Sequence, residues 1–138
     1  MRVKYITINV DRNSIRKIFI NDILYIKAEG AYTTIKLFNN DTFLVSRLLK
    51  TFNFLTDKFN FYRAGRSYII NLDYILEITK GKPNFVKLIN NENIPIQAKD
   101  FAYFKKNMVS FAETPTSTNS DKGFGKTSNE LVKNITNN

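Results

Sequence analysis

The sequence contains neither cysteine nor histidine among its 138 residues. Without cysteine there is no disulfide framework, no thiol nucleophile and no thiolate metal ligand. Without histidine the commonest acid/base group and transition-metal ligand are also missing. These absences exclude zinc fingers and many enzyme classes, and a reducing cytoplasm suits a chain without cysteine. We therefore expect no metal site and no bound cofactor.

Long apolar runs are also missing. The longest are short segments such as Ile23–Ile26 and Tyr68–Ile70, whereas a membrane span needs about 20 apolar residues. The first residues, Met1–Thr7, alternate polar and apolar side chains and do not build the apolar run of a signal peptide. We expect a cytoplasmic protein with no membrane partner.

The sequence offers little catalytic chemistry. Carboxylates are few, and turns or sheet faces explain Glu29, Asp73 and Glu77 as well as an acid/base role does. The stretch Gly123–Thr127 is similar to the end of a phosphate-binding loop. However, Ser120 stands where that motif needs its first glycine, and no strand precedes it. We predict no catalytic residue, no small-molecule substrate and no enzymatic activity.

The charge of the chain is strongly one-sided. The formal net charge is +9, from 21 Lys and Arg against 12 Asp and Glu. Three basic and three acidic residues lie beyond position 112 and cancel, so residues 1–112 carry the whole excess: Lys122, Lys126 and Lys133 against Glu113, Asp121 and Glu130. A globular region this basic is typical of proteins with a polyanionic partner, although composition alone leaves an ordinary basic protein equally open.

Most of the first 112 residues have the two-residue period of β-strands. Short β-branched and aromatic runs alternate with Asn, Asp and Gly clusters, which is the pattern of hairpins. Turns are expected at 21–22, 29–31, 39–41, 81–83 and 90–92. Strands are predicted at Val3–Val10, Ile18–Ile20, Ile23–Ala28, Thr33–Phe38, Thr42–Val45, Phe61–Arg63, Ser67–Asn71, Ile75–Thr79 and Phe85–Ile89.

The period changes in two places. After Ser46, a good N-cap residue, four apolar residues follow at helical spacing and predict one mid-chain helix: Leu48, Phe52, Leu55 and Phe59. A second helix is expected from about Lys99, with Phe101, Phe104 and Met108 as its apolar stripe. Residues 113–138 are polar and rich in Ser, Thr, Asn and Gly, so we expect a disordered tail.

The strongest local motif is the block Phe61–Leu72, in which two arginines flank a glycine turn that leads into an apolar strand. This arrangement predicts Arg66 at a loop rim, with either Tyr68 and Ile70 or the alternate residues Ile69 and Asn71 packed inward. A guanidinium there suits phosphate or the guanine edge. From the pattern alone, an ordinary surface arginine in a turn is the simpler interpretation.

The order of three motifs in the chain resembles a known family. These are Ile23-Leu24-Tyr25-Ile26-x-Ala28-Glu29-Gly30-x-Tyr32, then Phe61-x-Arg63-x-x-Arg66-Ser67-Tyr68-Ile69-Ile70-Asn71, and finally Ile94-Pro95-Ile96-Gln97. Over about residues 3–108 the chain resembles the LytTR DNA-binding domain of LytR/AlgR-type bacterial response regulators. The resemblance implies a mostly β, elongated fold of about ten short antiparallel strands with two helices, over residues 1–112.

The resemblance also implies a function and a site. The implied function is a stand-alone transcription regulator without a receiver domain, which reads duplex DNA through loops in the major groove. Two copies are expected on direct repeats. The implied DNA-binding residues are Glu29, Gly30, Ala31, Tyr32, Arg63, Arg66, Ser67 and Lys99. The chain departs from the family pattern at Gln97, where Ser is usual, and at Gly30-Ala31, which offer no strong base-reading side chain.

Two alternative classes remain open at this stage. A protein-interaction module would use the sheet edges for a partner and would show little salt dependence. A single-stranded RNA-binding domain would stack splayed bases on exposed aromatic side chains and would prefer unpaired substrate. Most of the 12 Phe and 7 Tyr are more simply explained as core residues.

Overall fold

The computed structural model describes residues 4–108 of the chain. Within that range it has ten strands and two α-helices, which confirms the predicted mostly β fold. Three short 3₁₀ helices lie at Ile20–Asp22, Leu49–Phe52 and Leu72–Tyr74. The other elements are β1 (Tyr5–Asn9), β2 (Ile15–Phe19), β3 (Ile23–Glu29), β4 (Tyr32–Leu37), β5 (Thr42–Val45), α1 (Phe54–Lys58), β6 (Phe61–Ala64), β7 (Tyr68–Asn71), β8 (Ile75–Thr79), β9 (Asn84–Leu88), β10 (Asn93–Ile96) and α2 (Ala98–Met108).

The strands form three antiparallel sheets. Strands β1 and β2 make a two-stranded sheet, and a three-stranded sheet has the order β10-β9-β8. The largest sheet has five strands in the order β5-β4-β3-β7-β6. Its central strand β3 pairs with β4 on one side and with β7 on the other, so the first two of the three motifs that carry the family resemblance are neighbours in one sheet.

Four of the hairpin turns depend on residues that tolerate a left-handed backbone. Gly30 and Gly65 both have φ of 64°, and Asn40 and Asn91 have φ of 76° and 72°. Gly has no Cβ to clash at positive φ, and Asn tolerates this region better than most other residues. The Gly and Asn residues that punctuate the sequence therefore set the turns between strands.

One apolar cluster fills the space between the five-stranded sheet, the β1–β2 hairpin and the mid-chain helical segment. Its buried members come from all three parts of the fold: Ile8, Ile18, Ile20, Ile23, Ile26, Ile35, Leu37, Val45, Leu49, Phe52, Leu55, Phe61 and Ile69. Burying apolar side chains on this scale is the main stabilising contribution in a domain of this size. The sheet is thereby held as a rigid support for its loops.

The centre of the five-stranded sheet is buried on both faces. In β7, Ile69 belongs to the cluster, and its neighbour Ile70, which points to the opposite face, is also fully buried. Asn71 is 3% exposed, and its side chain donates a 2.9 Å hydrogen bond to the carbonyl of Ile23. Both residue sets that the sequence left open for β7 are therefore buried or half-buried. Burial on both faces explains why this strand reads as a continuous apolar run.

The mid-chain helix differs from its prediction. Ser46 does not cap a helix, and the segment consists of the 3₁₀ helix Leu49–Phe52 followed by α1. Leu48 is 49% exposed, and the buried residues are Leu49, Phe52 and Leu55. Leu49 and Phe52 lie three residues apart, which is the repeat of a 3₁₀ helix. The predicted apolar stripe was therefore wrong at Leu48, whereas Phe52 and Leu55 are buried as expected and Phe59 packs against the core.

By its internal contacts the chain divides into two units, residues 1–101 and 102–138. All of the sheets lie in the first unit. Of the second unit, the structure describes residues 102–108, which are the last residues of α2. In the predicted stripe of α2, Phe104 is buried and Phe101 half-buried, whereas Met108 is 42% exposed. The predicted disordered tail, residues 113–138, lies outside the described residues.

Candidate DNA interface

The implied DNA-binding residues fall in three segments of the chain, and two of these segments are turns at the same end of the five-stranded sheet. The first is the Gly30 turn between β3 and β4, and the second is the Gly65 turn between β6 and β7. Because β3 runs into the first turn and β7 leaves the second, the antiparallel pairing of these strands brings the turns together. The backbone N–H of Ala28 donates a 2.8 Å hydrogen bond to the carbonyl of Ser67.

The start of α2 reaches the same end of the sheet. An open groove of about 320 Å³ is shared by the Gly65 turn and the first residues of the helix. A Cβ placed on Gly65 would lie 4.0 Å from Nε2 of Gln97. We call the segments Glu29–Tyr32, Ala64–Ser67 and Gln97–Asp100 together the loop end. The three places that the family resemblance singled out are thus adjacent in the fold.

Asp100 fixes the beginning of α2. Its carboxylate is 1% exposed. Oδ1 accepts a 2.7 Å hydrogen bond from the Tyr62 hydroxyl. Oδ2 accepts a 3.4 Å hydrogen bond from the backbone N–H of Gln97, three residues earlier. An acidic side chain that reaches back three residues is half of a capping box, so the helix start that carries Lys99 is held in place although Gln97 replaces the usual serine.

At the loop end the acidic side chains have partners, whereas two basic side chains have none within the described part of the chain. Glu29 lies 3.7 Å from Nζ of Lys27 and accepts a 3.5 Å hydrogen bond from Thr34. Arg66 and Lys99 are exposed, and within residues 4–108 neither side chain has an ion pair or hydrogen bond. With its carboxylates already engaged, this end presents two cations that are available to an anionic partner.

Arg63 is placed differently from Arg66. It is half-buried, and its guanidinium donates hydrogen bonds to the carbonyls of Gly65 (3.3 Å) and Arg66 (3.2 Å). A third hydrogen bond of 2.7 Å goes to Oδ1 of Asn53. Three of its five N–H donors are thus used within the protein. The predicted DNA contact of Arg63 stays a prediction.

The remaining predicted residues lie on the surface of the loop end. Gly30, Ala31 and Ser67 are exposed, and Tyr32 is 48% exposed at the start of β4. A Cβ built on Gly30 would meet nothing within 4 Å. The first loop therefore offers one large side chain, Tyr32, together with open backbone.

Sequence reasoning missed three residues that shape this end, namely Asn53, Tyr62 and Asp100. A signal existed for Asp100, because an acidic residue three positions after a helix start is a capping pattern. No local signal points to Asn53 or Tyr62. Their partners are 10 and 38 residues away in the chain, and only the fold brings them together.

The opposite end of the five-stranded sheet carries a polar cluster that connects it to the three-stranded sheet. The Tyr25 hydroxyl donates a 3.0 Å hydrogen bond to Glu92, which also lies 3.9 Å from Nζ of Lys36. Burial, with the neighbouring Glu92 carboxylate as the second cause, raises the pKa of Tyr25 well above its ordinary value of 10.0. This cluster is structural and is separate from the loop end.

Residues 4–108 offer neither a metal site nor a membrane span. That range has no group of three or more His, Cys, Asp or Glu residues able to hold a metal ion. Nor does any helix within it have the length and apolar character of a transmembrane span.

Comparison with known proteins places the chain in a family. The sequence model of the family described as the LytTr DNA-binding domain matches residues 13–108. No curated protein matches the chain. Its fold is similar to the solved LytTr DNA-binding domain of a proposed methyl-accepting/DNA response regulator from Bacillus cereus, with a TM-score of 0.61 and 20% sequence identity over 78% of this chain and 97% of that one. Because the family match covers more than half of the sequence and the fold agrees with it, this chain belongs to the LytTR family of DNA-binding domains.

Proposed function

We propose that this chain is a cytoplasmic bacterial transcription regulator that binds a specific duplex DNA sequence and reads the major groove with its loop end. The LytTR family is one of DNA-binding domains, and we propose no catalytic activity for this member. The observation that carries the proposal is the convergence of three separate segments, Glu29–Tyr32, Ala64–Ser67 and Gln97–Asp100, at one end of a rigid sheet. Loops on a rigid support are well suited to specific recognition.

The charge of the molecule supports a nucleic-acid partner. The formal net charge is +9, and Arg66 and Lys99 are exposed at the loop end. A positive surface attracts the phosphate backbone and supplies the part of the affinity that does not depend on sequence. Specificity must come from contacts with base edges.

We assign the loop-end residues different roles according to their positions. Arg66 is on an anchored turn, so we assign it to the guanine O6/N7 edge, where a bidentate guanidinium contact is specific. Lys99 lies in the first turn of α2, and we place it against a base edge or a phosphate. Ser67 and Tyr32 add a hydroxyl each, and the backbone of Gly30 and Ala31 allows a close approach.

A second copy of the chain is the other proposed partner. By family resemblance, two copies occupy direct repeats on one DNA face, with their centres about one helical turn of 10 to 10.5 base pairs apart or a multiple of it. Inserting about half a turn between the repeats then places the copies on different faces. Joint occupancy should weaken, and unchanged joint binding would exclude contact between the copies.

The direct test is selection of bound duplexes from a random DNA pool by the whole chain. A consensus sequence supports specific recognition, and its repeat spacing indicates the stoichiometry. Affinity for the selected duplex is then measured against salt concentration, where each phosphate neutralised by Lys or Arg contributes a log-log slope of about −0.9. A flat salt response favours the protein-interaction alternative, and a preference for unpaired strands favours the RNA-binding alternative.

A further inference from the structure

The Gly65 turn is held by a side chain outside the turn itself. Arg63 lies in β6, one residue before the strand ends, and its guanidinium donates to the carbonyls of Gly65 and Arg66. These are two successive peptide groups of the same turn. A planar fork with fixed donor directions can fix both carbonyls, which an ammonium group on a flexible stem does not do.

The same guanidinium ties the turn to the core. Its shortest hydrogen bond, 2.7 Å, goes to Oδ1 of Asn53, the residue between the 3₁₀ helix and α1. Phe52, which precedes Asn53, and Leu55, two residues after it, are 1% and 0% exposed. The Asn53 side chain is exposed, but its backbone lies in a helical segment held by these two buried residues, so the hydrogen bond from Arg63 links the Gly65 turn to that segment.

All three acceptors of Arg63 are uncharged. Within residues 4–108 no carboxylate forms a salt bridge with it. The positive charge of Arg63 therefore remains at the base of the turn, next to the backbone that carries Arg66. A role in neutralising an acidic side chain does not explain why an arginine stands here, whereas a role in shaping the turn does.

We propose that Arg63 is a positioning residue, which sets the direction of Arg66 and thereby the sequence specificity of DNA binding, without itself contacting a base. This inference rests on the proposed function, since it assumes that Arg66 meets base edges. It also assigns Asn53 a positioning role, because Asn53 accepts a hydrogen bond from Arg63. Without these hydrogen bonds the turn is conformationally free before binding. Ordering it when the DNA binds then lowers the affinity.

The test uses the full chain with its selected duplex and a scrambled duplex at one salt concentration. R63K keeps the charge and removes the fork, and N53A removes the anchor while leaving every loop-end side chain in place. Ordering the backbone of one residue on binding costs an affinity factor of roughly 10. We expect each variant to lower the ratio of cognate to scrambled affinity by about that factor, with little change on scrambled duplex.

A double variant distinguishes positioning from direct contact. If Arg63 acts through Arg66, adding R63K to R66A should lower the ratio no further than R66A alone. Equal losses on both duplexes, or losses from R63K and R66A that multiply in the double variant, would overturn the inference. A wild-type chain that fails to distinguish the two duplexes would instead refute the proposed function. Circular dichroism checks each fold, and N53A carries the test if R63K does not fold.

Discussion

Arg66 provides the sharpest test of the DNA face, because its side chain contributes little to the fold. It is exposed, and within residues 4–108 it has no ion pair or side-chain hydrogen bond. Arg66→Ala therefore removes no contact from the core, and surface changes of this kind usually alter the free energy of unfolding by less than about 0.5 kcal/mol. A loss of binding in this variant reports on DNA and not on stability.

The magnitude follows from the proposed contact. A bidentate arginine on guanine is worth about 1 to 3 kcal/mol of discrimination, and about 1.4 kcal/mol is tenfold in affinity. Arg66→Ala should therefore lower the ratio of cognate to scrambled affinity by roughly 5- to 140-fold. On scrambled duplex the loss should be much smaller, since there the arginine meets only phosphate.

The assay is a pair of titrations, cognate and scrambled duplex, at one fixed salt concentration. Lys58→Ala is the matched control, because it also removes one exposed cation. Lys58 ends α1, near the end of the sheet where Phe61 pairs with Asn71, whereas Arg66 follows the pairing of Ala64 with Tyr68 at the other end. If Arg66→Ala keeps the wild-type ratio while Lys58→Ala lowers it, the DNA face has been assigned to the wrong end.

Four other outcomes are expected. Lys99→Ala should lower the affinity ratio in paired titrations if the side chain meets a base, and should weaken both duplexes alike if it meets phosphate; no loss on either duplex removes Lys99 from the interface. Because the pKa of Tyr25 is raised in the folded state, its contribution to stability is present below about pH 10 and lost as pH rises through the folded value. Denaturant titrations should show stability falling above that pH, and less steeply in Tyr25→Phe; identical slopes contradict the assignment. Phe52→Ala should cost about 3–5 kcal/mol of unfolding free energy, since the ring is 1% exposed, whereas Phe54→Ala, at a site 37% exposed, should cost far less. Deleting residues 113–138, which sum to zero charge, should leave thermal unfolding and DNA affinity nearly intact, and a large loss of either would show that the domain extends beyond residue 112.

The strands were largely predictable because their period is local. Alternation and turn residues gave the bounds of Thr42–Val45 and Ile75–Thr79 as the structure has them. The segment Ile94–Gln97 was recognised as a family motif but was not predicted as a strand, although Asn93–Ile96 forms β10. The structure places β10 at the edge of its sheet, where proline is tolerated.

The mid-chain segment shows where local reasoning fails. Ser46 has the side chain of an N-cap, but the chain remains non-helical until Leu49 and then begins with a 3₁₀ helix. The adjacent residues Leu48 and Leu49 are both apolar, and which of them is buried depends on how the segment meets the sheet. Tertiary packing buries Leu49 and leaves Leu48 exposed, against the predicted burial of Leu48.

Part of the candidate site was predictable and part was not. The two turns and the start of α2 could be found by resemblance, and the antiparallel register of β3 and β7 accounts for the contact between the two turns. The difference between Arg63 and Arg66 could not be read from the sequence, because both flank the same glycine. It depends on Asn53, which only the folded chain places within reach of one of them.

The separation between the core and the loop end has an evolutionary consequence. The buried residues of the sheet are on the strands, whereas Ala31, Arg66 and Lys99 are exposed at the tips, and the space around Gly30 is open. Substitutions at these tips should cost little stability, as is usual at exposed loop positions. Under the proposed function, a duplicated copy of this domain would acquire a new target sequence through a few tip changes while its scaffold stays unaltered.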